Sequence, residues 1–392
     1  MKFLFSLLLF SPLFIAAQKD SCRLRISLLT ADPGEALYST FGHSALRVTD
    51  SANNTDIVYN YGTFNFDEAG FYSKFVRGKL NYYLSRDYFD SFKAEYQQEN
   101  RTLTEQVLNL SCAEKQKIQL SLDNNLLPQN LFYKYDFLFD NCTTRLRDLV
   151  EKSADRSIQF NPVVKTRVTF RNLIHEYLDY NDKQWSKLGI DILLGSKTDA
   201  VMKPREVMFL PDYLMKTFDS SSIDGRQLVK EKEVVYQSNN KGIEKDNLSH
   251  PVFIFLVAFV IIAFLSFTKN DILRKILFSL DGMLFFITGL LGFLLLFMWF
   301  GTDHIMCQNN YNLLWAWPIN VVAAFYTHSL RKGVKIYFLI YGLFNLILLI
   351  LWFKVPQQLN ISLMPLIGIL IFRSLSIFRR KEGQYVNNKI SK

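Results

Sequence analysis

Hydrophobic and polar positions divide the chain at about His250. From Gln18 to His250, apolar residues alternate with polar ones or recur every three to four positions, as in the strands and helices of a globular domain. Beyond His250 the apolar residues run almost without interruption in five segments: Val252–Phe267, Ile276–Phe300, Leu313–Thr327, Lys335–Phe353 and Ile361–Phe378. Each segment is near the length that spans a bilayer, the third being the weakest, so the pattern predicts an all-α membrane domain of about five transmembrane helices.

Strands precede helices in the first half of the chain. The runs ALYSTFGHSALRVTD and IVYNYGTFNF predict two strands around a polar turn, and EQVLNLS predicts a third. Ser111 and Glu114 form a capping box that opens a helix. A second helix is predicted from Cys142, with Asp140 or Asn141 as its N-cap, because apolar residues follow Cys142 at the spacing of one helical face. A third is predicted at RVTFRNLIHEYL. This order of elements predicts an α+β domain.

The chain ends differ in character from the two domains. The N-terminal sequence MKFLFSLLLFSPLFIAA has one Lys, an apolar run too short to span a membrane comfortably and two final small residues, which predicts a signal peptide. Residues 218–248 are polar and poorly periodic, which predicts a tether. The predicted boundaries are a signal peptide at 1–17, an exported domain at 18–216, a polar linker at 217–250, a transmembrane domain at 251–378 and a basic tail at 379–392.

Basic residues flank the apolar segments on one side only. They lie between the first and second segments, between the third and fourth, and in the tail, at Lys269, Arg274, Lys275, Arg331, Lys332, Lys335, Arg379, Arg380, Lys381, Lys389 and Lys392. The alternate loops, GTDHIMCQNNY and KVPQQLN, hold a single Lys between them. The positive-inside rule therefore places the tail in the cytoplasm and the first domain outside, in agreement with the signal peptide.

The formal net charge of +9 comes from these loops and the tail. The rest of the chain is close to neutral, and we find no basic patch that indicates binding to nucleic acid. The cysteines are Cys22, Cys112, Cys142 and Cys307. In an oxidising compartment Cys22 and Cys112 are a candidate disulfide pair, which leaves Cys142 free. No Cys/His spacing resembles a metal site.

Cys142 is the candidate nucleophile, because a thiol in the first turn of a helix has a lowered pKa. His43, at the start of a predicted strand, is the candidate base. Asn60, on the neighbouring strand, is a candidate for the group that orients the imidazole. The alternative is a buried cysteine and a strand histidine that are satisfied by hydrogen bonds and catalyse nothing.

Four motifs carry a resemblance to a known family. FGHSALRV, VYNYGTF, FVRGKLNYYL and YDFLFDNCTTRLRD resemble the exported domain of the Lnb-type lipoprotein N-acyltransferases, over about Arg23 to Tyr213. The membrane half, with TDHIMCQNNYNLLWAWP, is similar to the multi-span part of such proteins. The resemblance implies a permuted papain-like (NlpC-like) thiol domain in the periplasm, on a multi-pass protein of the bacterial inner membrane. It also implies that His43 and Cys142 act as base and nucleophile.

The implied reaction is acyl transfer without a cofactor. The Cys142 thiolate takes an acyl chain from a membrane phospholipid as a thioester and passes it to the α-amino group of a diacylglyceryl-cysteine lipoprotein. Asn141 and Thr143 flank the thiol and are expected to contact the substrate, with N–H groups of the helix end stabilising the oxyanion. Two alternatives remain. One is a cell-envelope thiol hydrolase that cuts phospholipid esters or peptidoglycan peptides with the same dyad, and the other is a non-catalytic membrane scaffold.

Three more residues are expected at the substrate site. Arg145 follows the nucleophile and is a candidate for contact with a lipid phosphate, although pairing with a local carboxylate such as Asp148 is the alternative. Asp303 and His304 lie in a loop on the same side of the membrane as the thiol domain, where they are candidates for binding a head group. The alternative for these two is an ordinary solvated loop.

Overall fold

The computed structural model describes residues 22–164, 167–239 and 247–380. The predicted signal peptide, the last residues of the predicted tail and part of the predicted linker lie outside these ranges.

A seven-stranded antiparallel sheet forms the centre of the first domain. The strands are β1 (Leu24–Ala31), β2 (His43–Asp50), β3 (Thr55–Thr63), β4 (Asn81–Tyr88), β5 (Leu103–Leu108), β6 (Phe132–Lys134), β7 (Ile158–Gln159), β8 (Ser222–Ile223), β9 (Arg226–Gln227) and β10 (Val229–Tyr236). The large sheet has the order β10-β5-β1-β2-β3-β4-β6, and β7, β8 and β9 form a small separate sheet. Each strand pair in the large sheet is antiparallel.

Helices cover both faces of this sheet. They are α1 (Phe71–Val76), α2 (Phe89–Gln98), α3 (Cys112–Asn125), α4 (Cys142–Ser153), α5 (Phe170–Tyr180), α6 (Gln184–Leu193) and α7 (Pro211–Ser220). Ile26 and Leu28 of β1 belong to the core beneath α3 and α4, whereas Leu29 and Ala31 pack with α2 on the opposite face. Because neighbouring side chains on a strand point to opposite faces, a layer on each side buries every residue of β1 except the partly exposed Arg25. The α+β prediction is confirmed.

Local sequence signals fix several of these elements. The Ser111–Glu114 capping box opens α3 as predicted, with Glu114 N bound to Ser111 Oγ at 3.2 Å and Ser111 N bound to the Glu114 carboxylate at 2.7 Å. A disulfide joins Cys22 to Cys112 and ties the start of β1 to the start of α3. Cys142 and Cys307 are free and buried.

The predicted linker at 217–250 is wrong for much of its length. Residues 229–236 form β10, which pairs with β5 and completes the sheet edge. The alternating charged residues of VKEKEVV suit a strand at a sheet edge, where they face solvent. The sequence predicted a tether because an edge strand of this kind buries little apolar surface and so lacks a clear hydrophobic pattern. Its hydrogen bonds are made with β5, a strand more than 100 residues earlier, which local sequence does not reveal.

The membrane domain contains four long apolar helices. They are α8 (Pro251–Ser266), α9 (Asp271–Phe300), α11 (Lys332–Ile350) and α12 (Leu363–Phe378). Within the described residues, α9 and α11 are long and apolar enough to cross a membrane, and α8 and α12 are shorter, with 16 residues each.

The third predicted span, Leu313–Thr327, is not one helix. It consists of single turns at Tyr311–Leu314, Asn320–Ala323 (α10) and Ala324–Tyr326. Two glycines of α9 let this irregular backbone approach closely: a Cβ at Gly289 would lie 2.2 Å from Val321 N, and one at Gly292 would lie 2.2 Å from Ala316 O. The prediction failed because an apolar run indicates only that a segment lies away from water, in the protein or in the membrane, whereas the packing against α9 determines its backbone.

A buried ion pair joins two of the long helices. Arg373 of α12 binds the Asp281 carboxylate of α9 through Nε at 2.6 Å and through Nη2 at 2.9 Å. Both side chains are almost fully buried. Ionisable groups inside a membrane domain need such partners, so this pair accounts for two charged residues in otherwise apolar segments.

The two domains meet at the end of α6. We call residues 301–319, between α9 and α10, the outward loop. The backbone N–H of Gly195 donates to Met306 O at 2.7 Å, and Asn312 Nδ2 donates to Asp191 O at 3.0 Å. Asn360 Nδ2, from the connection before α12, binds the Asp191 carboxylate at 2.8 Å. Side-chain amides of the membrane domain therefore satisfy the carbonyls that the end of α6 leaves unpaired.

Gly195 gives a direct test of this junction. A Cβ there would lie 1.9 Å from Gln308 O, a backbone atom, so Gly195→Ala should push the outward loop away from α6. We expect a lower midpoint of thermal unfolding in detergent and a faster reaction of Cys307 with a thiol reagent, because Cys307 lies in the displaced loop.

Gly189→Ala is the matched control, since Gly189 lies within α6, six residues before Gly195, and a Cβ there meets nothing within 4 Å. Because alanine is favoured over glycine inside a helix, this change should not lower the unfolding midpoint, and it should leave the reaction of Cys307 at the wild-type rate. A Gly195→Ala protein that is as stable and as unreactive as wild type would contradict the proposed importance of this contact.

Candidate active site

A cavity of about 620 Å³ lies where the two domains meet. The first domain contributes Cys142, His43 and Asn60 to its walls, and the outward loop contributes the run from His304 to Cys307. The other walls are largely aromatic and aliphatic, with Phe41, Phe64, Phe66, Phe75, Leu80, Tyr82, Tyr135 and Phe137 among them. A thiol and an imidazole thus share an apolar cavity with residues of the membrane domain.

Asn141 fixes the helix end that carries the thiol. Its Oδ1 accepts hydrogen bonds from the N–H groups of Thr143 at 2.9 Å and Thr144 at 2.8 Å, and Thr144 Oγ1 accepts from Asn141 N at 2.8 Å. Asn141 Nδ2 donates to Phe137 O and Phe209 O. This capping starts α4 at Cys142, as predicted, and holds the thiol in one place.

His43 and Asn60 come from neighbouring strands. His43 begins β2, Asn60 lies on β3, and His43 Nε2 is 2.5 Å from Asn60 Oδ1. An amide oxygen only accepts hydrogen bonds, so Nε2 carries the proton and Nδ1 is the basic nitrogen of the neutral imidazole. The predicted proximity of Asn60 to His43 is confirmed. The role of Asn60 in orienting the imidazole stays a prediction.

The thiol and the imidazole interact strongly. Burial by itself raises the pKa of Cys142, but the charge of the His43 imidazolium and hydrogen bonds from His43, the Thr143 hydroxyl and the backbone N–H of Ser44 outweigh it and lower the pKa to about 7. Burial lowers the pKa of His43, whereas the Cys142 thiolate and the Asn60 side chain raise it, with a net rise. A thiolate–imidazolium pair is therefore well populated near neutral pH.

The donors for an oxyanion differ from those expected. The N–H of Thr143 is bound to Asn141 and is not free for a substrate, and its hydroxyl contacts Ser44 Oγ at 3.3 Å. Of the first three N–H groups of α4, Asn141 binds those of Thr143 and Thr144, which leaves the N–H of Cys142 as the one that the cap does not use. Asn141 and Thr143 line the cavity, and their polar groups form hydrogen bonds within the protein, so their contact with a substrate stays a prediction.

Arg145 follows the alternative interpretation. Its guanidinium binds the Asp140 carboxylate at 2.6 and 2.8 Å and lies over the ring of Tyr133, 3.4 Å from the centroid. The partner is thus a local carboxylate, although it is Asp140, since Asp148 pairs with Arg147. Contact of Arg145 with a lipid phosphate is not supported.

The outward loop brings one of its two predicted residues to the cavity. His304 lines the cavity, and its Nε2 lies 3.2 Å from Phe75 O. Asp303 lies beside it but faces Lys134, with 3.6 Å between the charged groups. His304 thus lies in the cavity wall, where its contact with a substrate stays a prediction, whereas Asp303 helps to attach the loop to β6.

Several residues of the site were missed by sequence reasoning. Glu95, Tyr96 and Glu99, from α2 and its end, and Arg101 line the cavity, as does Cys307. Burial in apolar surroundings raises the pKa of Cys307 to about 11, which makes it an unreactive thiol. No local signal marks these residues, since the sheet topology alone brings α2 beside His43. The described residues contain no group of three or more His, Cys, Asp or Glu that could hold a metal ion.

Two family models match the chain. The model of the Lnb N-terminal periplasmic domain matches residues 13–176, and the model of the Lnb transmembrane domain matches residues 243–383. Together they include Cys142, His43 and the loop residues 304–307 of the cavity wall, whereas Leu194 and residues 209–211 of the wall lie between the two matches. Neither the curated proteins nor the solved structures include a match.

The lowered thiol pKa predicts the pH dependence of alkylation. Because only the thiolate reacts, the rate of modification of Cys142 by iodoacetamide should rise through a midpoint near pH 7. In His43→Ala the two largest lowering influences on the Cys142 pKa are lost, whereas burial and the smaller effects of Thr143 and Ser44 remain, so the pKa should return to about 9 or above. The reactive fraction at pH 7 should then fall by about 50-fold or more.

Cys307 is the internal control, because its raised pKa keeps it unmodified at neutral pH. Peptide mass spectrometry distinguishes the two thiols. Equal reactivity of Cys142 in wild type and His43→Ala at pH 7 would show that the histidine does not activate the thiol.

Proposed function

The chain belongs to the Lnb family, whose members combine a periplasmic domain with a transmembrane domain, and from this premise we propose that it is a lipoprotein N-acyltransferase. It transfers an acyl chain from a membrane phospholipid to the α-amino group of a diacylglyceryl-cysteine lipoprotein, through a thioester on Cys142. The protein acts in the bacterial inner membrane, with its thiol domain in the periplasm.

The observation that carries this proposal is the position of the Cys142–His43 pair. The pair lies in a largely apolar cavity whose wall is partly built by the outward loop of the membrane domain. Both proposed substrates are lipids held in the outer leaflet, so a reactive thiol must be presented at that surface. The close contact between the outward loop and α6 supports this placement.

The first half of the reaction forms the thioester. The His43 imidazole takes the proton of the Cys142 thiol, and the thiolate attacks an ester carbonyl carbon of the phospholipid. The negative oxygen of the tetrahedral intermediate accepts a hydrogen bond from the N–H of Cys142, at the positive end of α4. The carbon–oxygen ester bond then breaks, and the departing alkoxide takes the proton from the imidazolium to give a lysophospholipid.

The second half transfers the acyl chain to nitrogen. The neutral α-amino group of the lipoprotein attacks the thioester carbonyl, and His43 accepts a proton from the attacking nitrogen. The carbon–sulfur bond breaks, an amide is formed, and the thiolate–imidazolium pair is restored. Asn60 holds the proton on His43 Nε2 throughout, so that Nδ1 faces the reacting atoms in its basic form.

A thiol hydrolase would use the same pair, with water as the second nucleophile. The apolar walls favour the acyltransferase, because they disfavour water and accept an acyl chain. A phospholipid esterase is the hydrolase that this cavity suits best, and the product of the reaction separates it from the acyltransferase.

Expression of the chain in bacterial cells that lack their own lipoprotein N-acylation provides the main test. Mass spectrometry of a lipoprotein N-terminal peptide should show the gain of one amide-linked acyl chain with the wild-type protein. Cys142→Ala and His43→Ala should give no gain at equal expression, because each removes an essential partner in forming the thioester.

Release of lysophospholipid without any N-acylated peptide would support the phospholipid esterase in place of the acyltransferase. An N-acylated peptide formed by the Cys142→Ala protein would eliminate the thioester mechanism.

The role of Asn60 is tested by a pair of variants. Asn60→Ala removes the acceptor for His43 Nε2–H, so we expect kcat to fall by about one to two orders of magnitude. Asn60→Asp keeps an acceptor and adds a negative charge, which should retain much of the activity. Its carboxylate stabilises the imidazolium, so the His43 pKa should rise and the alkaline limit of the pH–rate profile should move to higher pH.

A merely structural role for Asn60 predicts something different. Both variants would then lose thermal stability, and the pH profile of the remaining activity would not move.

A further inference from the structure

Four large apolar side chains beside the cavity are exposed. Phe66 is 65% exposed, Tyr72 79%, Phe75 52% and Val76 41%, and we call these four the aromatic patch. Single exposed apolar residues are common on proteins, but a contiguous group indicates an interaction surface.

The aromatic patch is contiguous because it surrounds one buried ring. The ring centroid of Phe71 lies 5.1 Å from that of Phe66, 5.3 Å from that of Tyr72 and 6.2 Å from that of Phe75. These residues belong to α1 and to the turn before it. The segment thus has a fixed apolar surface that no described part of the chain covers.

Hydrogen bonds place this segment at the end of a membrane helix. Asp303 N donates to Arg77 O at 3.0 Å, and His304 contacts Phe75 O. Asp303 is three residues after the end of α9. The charged residues Asp271, Arg274 and Lys275 lie at the start of α9. The remainder, residues 276–300, is about 37 Å long at 1.5 Å per residue, slightly more than the ~30 Å of a hydrocarbon core, so Phe300 lies close to the membrane surface. The aromatic patch is therefore at that surface too.

The charges around the patch suit a lipid surface. Arg77 and Lys79 follow α1 directly and are exposed. Lys74 lies within α1 and contacts Glu68 at 2.5 Å. Aromatic side chains with basic neighbours are typical of segments that lie in the interface between lipid head groups and acyl chains.

The patch is also continuous with the cavity. Phe66 and Phe75 are exposed at the surface and at the same time line the cavity that holds Cys142. Leu80, which is buried, and Ile305, which is about half exposed, continue the apolar lining. An acyl chain that leaves the outer leaflet at this point would stay in contact with apolar side chains on its way to the thiol.

We propose that the aromatic patch inserts among the acyl chains of the outer leaflet and forms the entrance through which the donor phospholipid reaches Cys142. Insertion of the patch into the membrane does not depend on the proposed function, whereas its role as an entrance for the donor phospholipid does. The occupant is the lipid of the membrane that holds the protein, since the patch is attached to the membrane domain of the same chain. A protein partner or a second copy of the chain would cover the patch without bringing it into contact with acyl chains.

Fluorescence quenching tests insertion independently of activity. Tyr72→Trp and the control Tyr88→Trp are reconstituted in vesicles with phospholipids brominated along their acyl chains. Tyr88 is also exposed, but lies at the other end of β4, about 23 Å along the strand from Asn81. The five native tryptophans are common to both proteins, so the added emission is obtained by subtraction.

We expect bromine to quench the added emission of Tyr72→Trp at least twice as strongly as that of Tyr88→Trp. Equal quenching in the two proteins would overturn the proposal, as would quenching of Tyr72→Trp that appears only when the protein is crowded enough to self-associate.

Two donors test the entrance. The double variant Tyr72→Ser/Val76→Ser removes exposed side chains that do not line the cavity, with Tyr88→Ser as the control. Acylation of Cys142 by phospholipid vesicles should fall about tenfold in the double variant. Acylation by soluble p-nitrophenyl butyrate should stay unchanged, because this ester does not have to leave a membrane.

If the double variant lost acylation by both donors, the patch would support the fold of the site. If it lost acylation by neither donor, lipid would enter elsewhere. Each result would overturn the role of the patch as an entrance. A wild-type protein that p-nitrophenyl butyrate acylates but phospholipid does not would overturn the proposed function and this entrance together, and the quenching result would still decide insertion.

Discussion

The contact between the end of α6 and the outward loop is the constraint on which the site depends. Residues 304–307 of this loop form part of the cavity wall, and Met306 O is fixed by the backbone N–H of Gly195. Asn312 binds the last carbonyls of α6 from the same loop. Because one segment both joins the domains and closes the cavity, the relative position of the domains determines whether the site is complete.

Within the cavity, two short-range devices position the reacting pair. The Asn141 cap fixes the first turn of α4 and hence the thiol, while the antiparallel pairing of β2 with β3 brings Asn60 beside His43. Cys142, His43 and Asn60 lie on α4, β2 and β3, and each of these elements is anchored by buried residues. The backbone positions of the three side chains are therefore fixed before any substrate binds. The cap also uses the N–H groups of the turn after Cys142, which concentrates any oxyanion contact from this helix on Cys142 itself.

Local signals predicted these devices, and contacts distant in sequence were not predictable. The caps at Ser111 and Asn141 and the strand that begins at His43 depend on a few neighbouring residues, which a sequence shows directly. By contrast, β10 forms by pairing with the edge of β5. The irregular backbone of the third apolar segment packs closely against α9 because Gly289 and Gly292 have no side chain at the contact. The same holds for the cavity: Glu95 and Arg101 reach it only through the order of strands in the sheet.

Burial of the reacting pair has two opposite electrostatic effects. It disfavours a lone thiolate, which raises the pKa of Cys142, but it also strengthens the attraction between the thiolate and the imidazolium once both are present. The net pKa of about 7 results because this attraction, together with the hydrogen bonds from His43, the Thr143 hydroxyl and the Ser44 N–H, outweighs the effect of burial. In the proposed mechanism, the apolar residues that the outward loop adds to the cavity wall would limit the access of water to the thioester while the thiol stays ionised. A more open cleft would weaken the pair and expose the thioester to hydrolysis, so on this proposal the membrane domain contributes to the chemistry as well as to the location of the site.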